Sequence, residues 1–575
     1  MRTKYCGDLC LIDIDTSVIL CGWVDKIRNF GSFLFLDLRD NKGIVQIFID
    51  KKNKNLYQEF SILKNEYCIK VHGIVKKRLD KNINLNLNTG KIEVLAKKIY
   101  VFNESKSFPL DYYHTYSEEK RFLFRYLDLR NKKNINIFKI RSKIVYLLHH
   151  FLQSHKFINV ETPILTKVMN EGSRNYLVAS RIHINKFYAL SQSPQIYKQL
   201  LMISGFDRYY QITKCFRDED LRSDRQPEFT QLDVEMSFMH VKKVRLIMEK
   251  MIRNLWKKVL KIRLDKFPTI TFNHAIEKYG SDKPDLRNPL LLTNLTFLLK
   301  KNKKFFLFFN IKEEKNYKIV GLCVPHKKYF SRKIIEKYNL LVAKFTKSQL
   351  IFIRIINMQL GLNGIKSSHK NIIDAKILKQ IINETKAKNG DIIFLMIEKC
   401  ALVSTIFGVL RKKIGEELNL ISKKDWKPVW IINFPLFNKD IKNNLVSVHH
   451  PFTSFKNTKK NLDLLDSYPE KIISEAYDLV INGYEAGGGS VRINSTCIQD
   501  KIFNLLGISK KIKEEQFGFF LKALDFGTPP HAGMAFGLDR IVMLMTNSKN
   551  IKDVIAFPKT TSAYCLTTGA PNKII

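Results

Sequence analysis

CFRDEDLRSDRQPEFTQLDVEMSFM, residues 215–239, decides how the rest of this chain is read. Both ends alternate apolar and polar side chains as a strand does, and a dense polar loop between them carries Arg217, Asp218, Glu219, Arg222, Arg225 and Glu228. A solvated hairpin tip would account for the polarity. It would not account for arginine and glutamate at a strand end flanked by Phe216 and Phe229, where a flat ring can stack on a base and a planar guanidinium can grip carboxylate or phosphate.

A second stretch strengthens the first. In GTPPHAGMAFGLDRIVML, residues 527–544, Gly533 and Gly537 let backbone approach a ligand, and Gly-Leu-Asp-Arg opens an apolar helix with Arg540 near its N-terminal end, a favourable place for a phosphate. Alone, such a turn is an ordinary helix entry; beside the preceding loop it points to an anion site.

Outward from these stretches, residues 1–105 read as five short strands, Val18 to Val24, Phe33 to Leu38, Ile44 to Ile49, Cys68 to Val75 and Ile92 to Ala96, with turns at Asn41-Lys42-Gly43 and Asn88-Thr89-Gly90. Five strands of this length predict a small closed barrel of the oligonucleotide-binding kind. In it Phe35 alternates with Leu34 and Leu36, so one side of that strand faces outward. An outward phenylalanine there would be a stacking platform for an unpaired base, whereas an inward one would be core. A less regular hinge, 106–134, follows. Helical spacing predicts a helix over Ile135–Phe157, and NVETPILTK turns from strand to irregular structure at Pro163. Strand signals alternate with loops to about Leu286. A lysine-rich stretch of alternating strands and helices, 288–423, reads as an insertion between 135–287 and 424–575.

The chain has 575 residues, 45% of them hydrophobic, which predicts several folded domains. No apolar run is long enough to cross a bilayer and the N-terminus lacks an apolar signal core, which predicts a cytoplasmic protein without a membrane partner. Nine scattered cysteines predict reduced, mostly buried thiols, and zinc is not expected. A net charge of +43 would attract a polyanion such as tRNA, but the excess of lysine with isoleucine, asparagine and phenylalanine is also what drift toward AT-rich codons produces.

Arg217 to Glu219 resembles motif 2 of the class II aminoacyl-tRNA synthetases, Gly537 to Arg540 resembles motif 3, and the segment around Pro163 resembles motif 1. The bacterial aspartyl-specific family is the closer resemblance, carried by FYALSQSPQIYKQLLMISGFDRYYQI at 187–212, HHPFTS at 449–454 and YDLVINGYEAGGGSVRI at 477–493. It implies an α+β multidomain fold: an N-terminal OB-fold barrel for the anticodon, an antiparallel-sheet catalytic core and an α/β insertion. It also implies a homodimer through motif 1, with L-aspartate, ATP, Mg²⁺ and tRNA(Asp) as substrates, cofactor and partner.

Residue by residue, the resemblance puts Lys198 and Arg492 on the substrate's side-chain carboxylate with His449 nearby, and Ser193, Gln195, Asp233 and the mobile-loop Glu171 around its ammonium, Ile196 and Tyr197 completing the 195–198 segment. Arg217 is placed on the α-phosphate and the α-carboxylate, Asp218, Glu219 and Gln226 near the nucleotide, and Phe229 under the adenine. Gly537, Leu538 and Asp539 line the motif 3 turn, with Arg540 on the γ-phosphate, so that Arg217 and Arg540 are the catalytic pair. Asp478 and Glu485 are the metal carboxylates, Glu485 also serving the nucleotide; seven apart on strand-like sequence, they need a bend near Asn482-Gly483 to share an ion. Neighbouring strand residues point oppositely, so His449 and His450 are expected to have separate roles. On the barrel the resemblance assigns Arg28, Phe35, Gln46, Asn82 and Glu93 to the anticodon. The chain departs from the family wording at Asn170, Ser173, Asn175 and Ser191, where closure over aspartate could be altered, and is shorter at its C-terminus than many relatives. A related enzyme for asparagine or lysine is disfavoured by the cationic pocket and the insertion, and a non-catalytic RNA-binding paralogue by the presence of Arg217, Arg540 and the acidic pair.

Overall fold

The computed structural model describes residues 1–30, 33–50, 53–110, 116–169, 172–222, 224–299, 317–325, 330–369 and 373–573. They form two compact units, Met1–Lys143 with Leu221–Gln226 and Thr546–Ile575, and Ile144–Asp220 with Pro227–Met545. The boundary falls inside one helix, Lys132–Ser154.

The first unit contains a closed five-stranded barrel in the order Ser17–Asn29, Phe33–Arg39, Ile44–Asp50, Ile92–Asn103, Cys68–Lys77. Alternation builds it: Leu20, Leu34, Leu36, Ile47, Val71 and Val94 point inward to one apolar core, and their sequence neighbours point out. A helix, Lys54–Ser61, packs Leu56 and Phe60 onto that core; Asn53 caps it by accepting from the Leu56 N–H. Near the chain's end the buried Arg125 guanidinium donates to the carbonyls of Ile555 and Ala556 and pairs with Asp128, binding the C-terminal segment into this unit.

The second unit is organised by an eight-stranded sheet in the order Thr269–Thr271, Pro428–Ile432, Ala476–Ile481, Tyr484–Val491, His531–Gly537, Glu228–Ser237, Arg208–Phe216, Ile158–Asn159, antiparallel except at its two edges. The helix Val241–Val259 lies in a stretch whose sequence read as strands and loops. Its lysines mask a helical stripe of buried Val244, Met248, Met251, Ile252, Leu255 and Trp256. The inserted stretch has a second sheet of five strands, Leu292–Asn294, Tyr317–Val324, Ile392–Lys399, Ile351–Ile355 and Ile365–Ser367 in spatial order, with the helix Cys400–Glu417 against it. All nine cysteines are free thiols, but only Cys6, Cys215 and Cys565 are buried, so the expectation of mostly buried thiols is corrected. No described helix is long and apolar enough to cross a membrane.

Candidate active site

The catalytic sheet makes a trough by simple alternation. On Glu228–Ser237, Phe229, Gln231, Asp233 and Glu235 share one face. Pairing carries that face across the sheet: Asp233 lies opposite Ala535, Ala535 opposite Gly488, and Gly488 opposite Asp478. One row along, Glu235, Gly533 and Ser490 line up in the same way. Small residues floor the middle, and carboxylates stand on both walls.

Two buried cations enter the trough. Lys198, from the helix Gln195–Ile203, is 1% exposed and places its Nζ 3.0 Å from Asp233 Oδ1 and 3.4 Å from Glu235 Oε2. Arg492, two residues beyond Ser490 on the same face, donates through Nε and Nη2 to both Glu235 oxygens at 2.9 and 3.1 Å, and through Nη1 to Ser490 Oγ at 2.7 Å and His450 Nε2 at 2.6 Å. Glu235 therefore fixes both cations. Desolvation would push its carboxyl up, but Arg492 and then Lys198 outweigh that and hold it below the ordinary range. Asp233 goes the other way: burial raises it more than Lys198 lowers it. In this trough Asp233 Oδ2 and Gln195 Nε2 are buried without a hydrogen-bond partner. One accepts and the other donates, so together they suit a group carrying ammonium and carboxylate.

The histidines divide their roles. His450 Nε2 faces Arg492, and desolvation followed by that guanidinium drives its pKa well below the usual imidazole value. His449 places Nε2 3.1 Å from Asp478 Oδ1; desolvation lowers it, but Asp478 more than restores it and the net shift is upward.

Asp478 and Glu485 sit on the two arms of a hairpin that turns at Asn482 and Gly483, both with positive φ, and a bulge between Leu479 and Val480 in the pairing brings the two carboxylates to one face. They converge over Gly488, where an added Cβ would lie 2.8 Å from Asp478 Oδ1 and 3.6 Å from Glu485 Oε1. Such a bare cradle between two carboxylates fits a divalent cation with oxygen ligands. Glu485 also takes Lys283 Nζ at 2.8 Å; burial would raise this carboxyl, and Lys283 brings it down.

At the nucleotide end, Arg217 Cζ lies 5.0 Å from the centre of the half-buried Phe229 ring, and its backbone N–H closes the motif 2 loop on Pro227 O. Arg540 Nη1 donates to Glu485 O, while Leu538 and Asp539 are buried at the start of the helix Leu538–Met545. Asp539 accepts from the Thr230 N–H at 2.7 Å, so its carboxylate joins motif 3 to motif 2. Asp218 pairs with Arg174 through an isolated bridge and a 3.8 Å ion pair, holding the 172–178 segment to motif 2. Gln226 belongs to the first unit, where its amide exchanges hydrogen bonds with the Lys559 backbone. Ile196 packs into an apolar cluster with Phe452, Phe503 and Phe520, and Ser193, Ile196 and Tyr197 line a hollow with Met169 and Asn175. Gln192 clamps two of the departures from the family wording, accepting from Ser173 Oγ and donating to Asn175 Oδ1. Asn170 and Glu171 lie outside the described residues.

The barrel bears a second cluster, in the other unit. Phe35 faces outward in an aromatic group with Phe30, Phe33 and Phe48 at centroid distances of 5.8, 6.3 and 6.4 Å. Beside it Arg28 donates to Asp37 and Gln46, and Gln46 to Glu93. Asn82 stands exposed in the turn Asp80–Asn82. The sequence reading passed over Glu235, Lys283, Asp37, Phe33 and Phe48. Glu235, Phe33, Asp37 and Phe48 each sit two residues from one that was found, so alternation alone could have picked them out.

The model for tRNA synthetases class II (D, K and N) matches residues 117–561, and that for the OB-fold nucleic acid binding domain matches 18–102. The chain belongs to the class II tRNA synthetases of the D, K and N group. Among individual proteins, it is 52% identical over its full length to 97% of an aspartate–tRNA ligase of Buchnera aphidicola subsp. Acyrthosiphon pisum, and 48% identical, again over its full length, to 97% of that of Haemophilus ducreyi. The same fold recurs at 19% identity in asparaginyl-tRNA synthetase from Pyrococcus horikoshii (TM-score 0.59, 97% of this chain and 98% of the other) and at 16% in a putative aspartyl-tRNA synthetase from Leishmania major (TM-score 0.61, 97% and 94%).

Proposed function

We propose that the protein joins L-aspartate to tRNA(Asp) in two steps, forming aspartyl-adenylate from ATP with release of pyrophosphate and then transferring the aspartyl group to the terminal ribose of the tRNA. The observation that carries this is the buried Lys198–Glu235–Arg492 arrangement with Asp233 Oδ2 and Gln195 Nε2 unsatisfied beside it. A dicarboxylic amino acid needs cations for its side chain and an acceptor for its ammonium, and the trough offers both already oriented. A neutral amide in place of the carboxylate would leave the two cations without an added counter-charge.

The α-carboxylate attacks the α-phosphorus in line, so two anions must be held together. Arg217 faces both and Arg540 takes the terminal phosphate, so that charge is neutralised where it develops; Phe229 carries the adenine. Asp478 and Glu485, which converge over Gly488, would hold Mg²⁺, which when bound would further neutralise phosphate charge. The 3′-terminal hydroxyl then attacks the mixed anhydride and displaces AMP. No protein nucleophile is required. On the barrel, Phe35 and its aromatic neighbours stack anticodon bases, while Arg28, Gln46 and Glu93 offer hydrogen bonds to base edges. A homodimer through motif 1 is supported by exposed Ile158, Ile164 and Leu165, apolar side chains that a second copy would cover.

Pyrophosphate exchange with aspartate, asparagine and lysine, followed by charging of purified tRNAs, tests the reading. Exchange with aspartate alone is expected; exchange equally strong with asparagine would overturn the pocket assignment. Sedimentation at micromolar concentration should show the dimer, and a monomer would remove that part.

A further inference from the structure

Lys283 has no part in the reaction described so far, yet it sits in the middle of its nucleotide end. Its Nζ lies 2.8 Å from Glu485 Oε2, while the backbone carbonyl of the same glutamate accepts from Arg540. One residue thus joins the phosphate arginine, a metal carboxylate and an additional cation. Lys283 comes from a loop that is built to stay in place. Arg411, on the helix Cys400–Glu417, donates to the carbonyls of Asp285 and Asn288, and Asn288 donates back to Arg411 O. Asp285 is also held by Arg287. On the other side the loop abuts the turn between the two metal carboxylates: an added Cβ on Gly483 would lie 3.2 Å from the Asp285 Cβ. The inserted domain therefore holds, through Arg411, the loop that brings Lys283 to the carboxylates. The Lys283 side chain itself is 42% exposed, so its ammonium meets Glu485 at the solvent edge of the site.

Two carboxylates converging on one bare glycine repel one another unless a cation lies between or beside them. A loosely held ammonium is a counter-charge that a divalent ion can displace, and once displaced it remains within a side chain's reach of the triphosphate that Arg540 grips.

We propose that Lys283 is the resident counter-cation of the nucleotide site, pairing with Glu485 while metal and ATP are absent and passing to the β- and γ-phosphates when they bind. This rests on the assignment of Asp478 and Glu485 to Mg²⁺. Lys283 is thus a positioning residue when the site is empty and a ligand of the leaving pyrophosphate when it is full, and the inserted domain has a stake in ATP binding that its distance in sequence conceals.

Mn²⁺ titration of nucleotide-free protein, followed by the signal of the free ion, reads the first half, and the KM for ATP in exchange reads the second. For Lys283→Met, Mn²⁺ should bind about tenfold more tightly and the KM for ATP should rise about tenfold, with the KM for aspartate unchanged; couplings between neighbouring sites are commonly of this size. Lys283→Arg should restore both. If Lys283→Met leaves Mn²⁺ affinity and the ATP KM where they were, while Glu485→Gln loses the metal, the proposal fails and the metal assignment stands. If Glu485→Gln binds Mn²⁺ as the parent does, both fail. Arg411→Met, which frees the loop without touching the site, should reproduce the raised ATP KM in weaker form; an unchanged value would detach the inserted domain from the mechanism.

Discussion

The barrel face and the catalytic trough are both built by alternation along strands, yet they use it differently. On the barrel, Phe35, Gln46, Arg28 and Glu93 lie on a half-open surface and contact one another across adjacent strands in a single layer. In the trough, Lys198 and Arg492 are almost wholly buried and their carboxylate partner comes from a strand more than two hundred residues away in sequence from Arg492. A surface site can lose a member and keep its shape. A buried charge network cannot, because each ion's desolvation is offset only by the others.

That difference sets a graded series of outcomes. Arg492→Met should do the most damage, leaving Glu235 buried beside a half-compensated Lys198; removing one partner of such a pair costs about 3–5 kcal/mol. Thermal unfolding should show a large fall in Tm, with aspartate exchange undetectable. A stable, active variant would mean that the trough tolerates loss as the barrel does. Arg217→Ala comes next. Half-exposed and stacked on Phe229, it should cost roughly 10²–10³ in exchange kcat with little change in Tm, as expected of a group aimed at developing charge. Phe35→Ala is a barrel change and should leave exchange untouched while weakening tRNA charging by roughly 1–3 kcal/mol, the worth of one base stacked on an aromatic ring. Equal loss in both assays would show that the two sites are not independent.

The smallest effect concerns pH. His450 has its pKa depressed by desolvation and by Arg492, with Lys198 and His449 adding to it. The unfolded chain takes up a proton near pH 6.5 that the folded site refuses, so this group makes stability fall as pH drops through and below about 6.5. His449 is raised and acts oppositely: its stabilisation is present below about 6.5 and is lost as pH rises through its folded value. His450→Gln should therefore shrink the acid-side fall in Tm. If the variant's Tm declines between neutral pH and pH 5 as steeply as the parent's, the depressed imidazole is not what limits acid stability.

Much of the surface site could be found without coordinates. Leu34 and Leu36 put Phe35 on the opposite side of its strand from themselves, leaving the closed barrel to choose which side is outer, and the seven-residue spacing of Asp478 and Glu485 demanded, for a shared ion, the bend that Asn482 and Gly483 supply. Less of the buried site could be found that way. Glu235 was in view two residues from Asp233 but had no visible purpose, because its partners Lys198 and Arg492 meet it only once strand and helix are packed. His449 and His450 were separable by alternation, but which one faced the arginine was not, since that depends on the rotation of a loop against a strand.

By itself, then, the sequence determined the barrel's alternation, the strand–loop–strand of motif 2 and the glycine-to-helix turn of motif 3. All of these are local, set by steric periodicity and by side-chain chemistry that a few neighbouring residues express. Only the tertiary structure decided that Glu235 holds both cations, that Asp478 and Glu485 close over Gly488, and that Arg411 braces the loop that carries Lys283 to Glu485. A buried charge is stable only beside its counter-charge, and chain packing, not spacing along the chain, chooses which counter-charge that is.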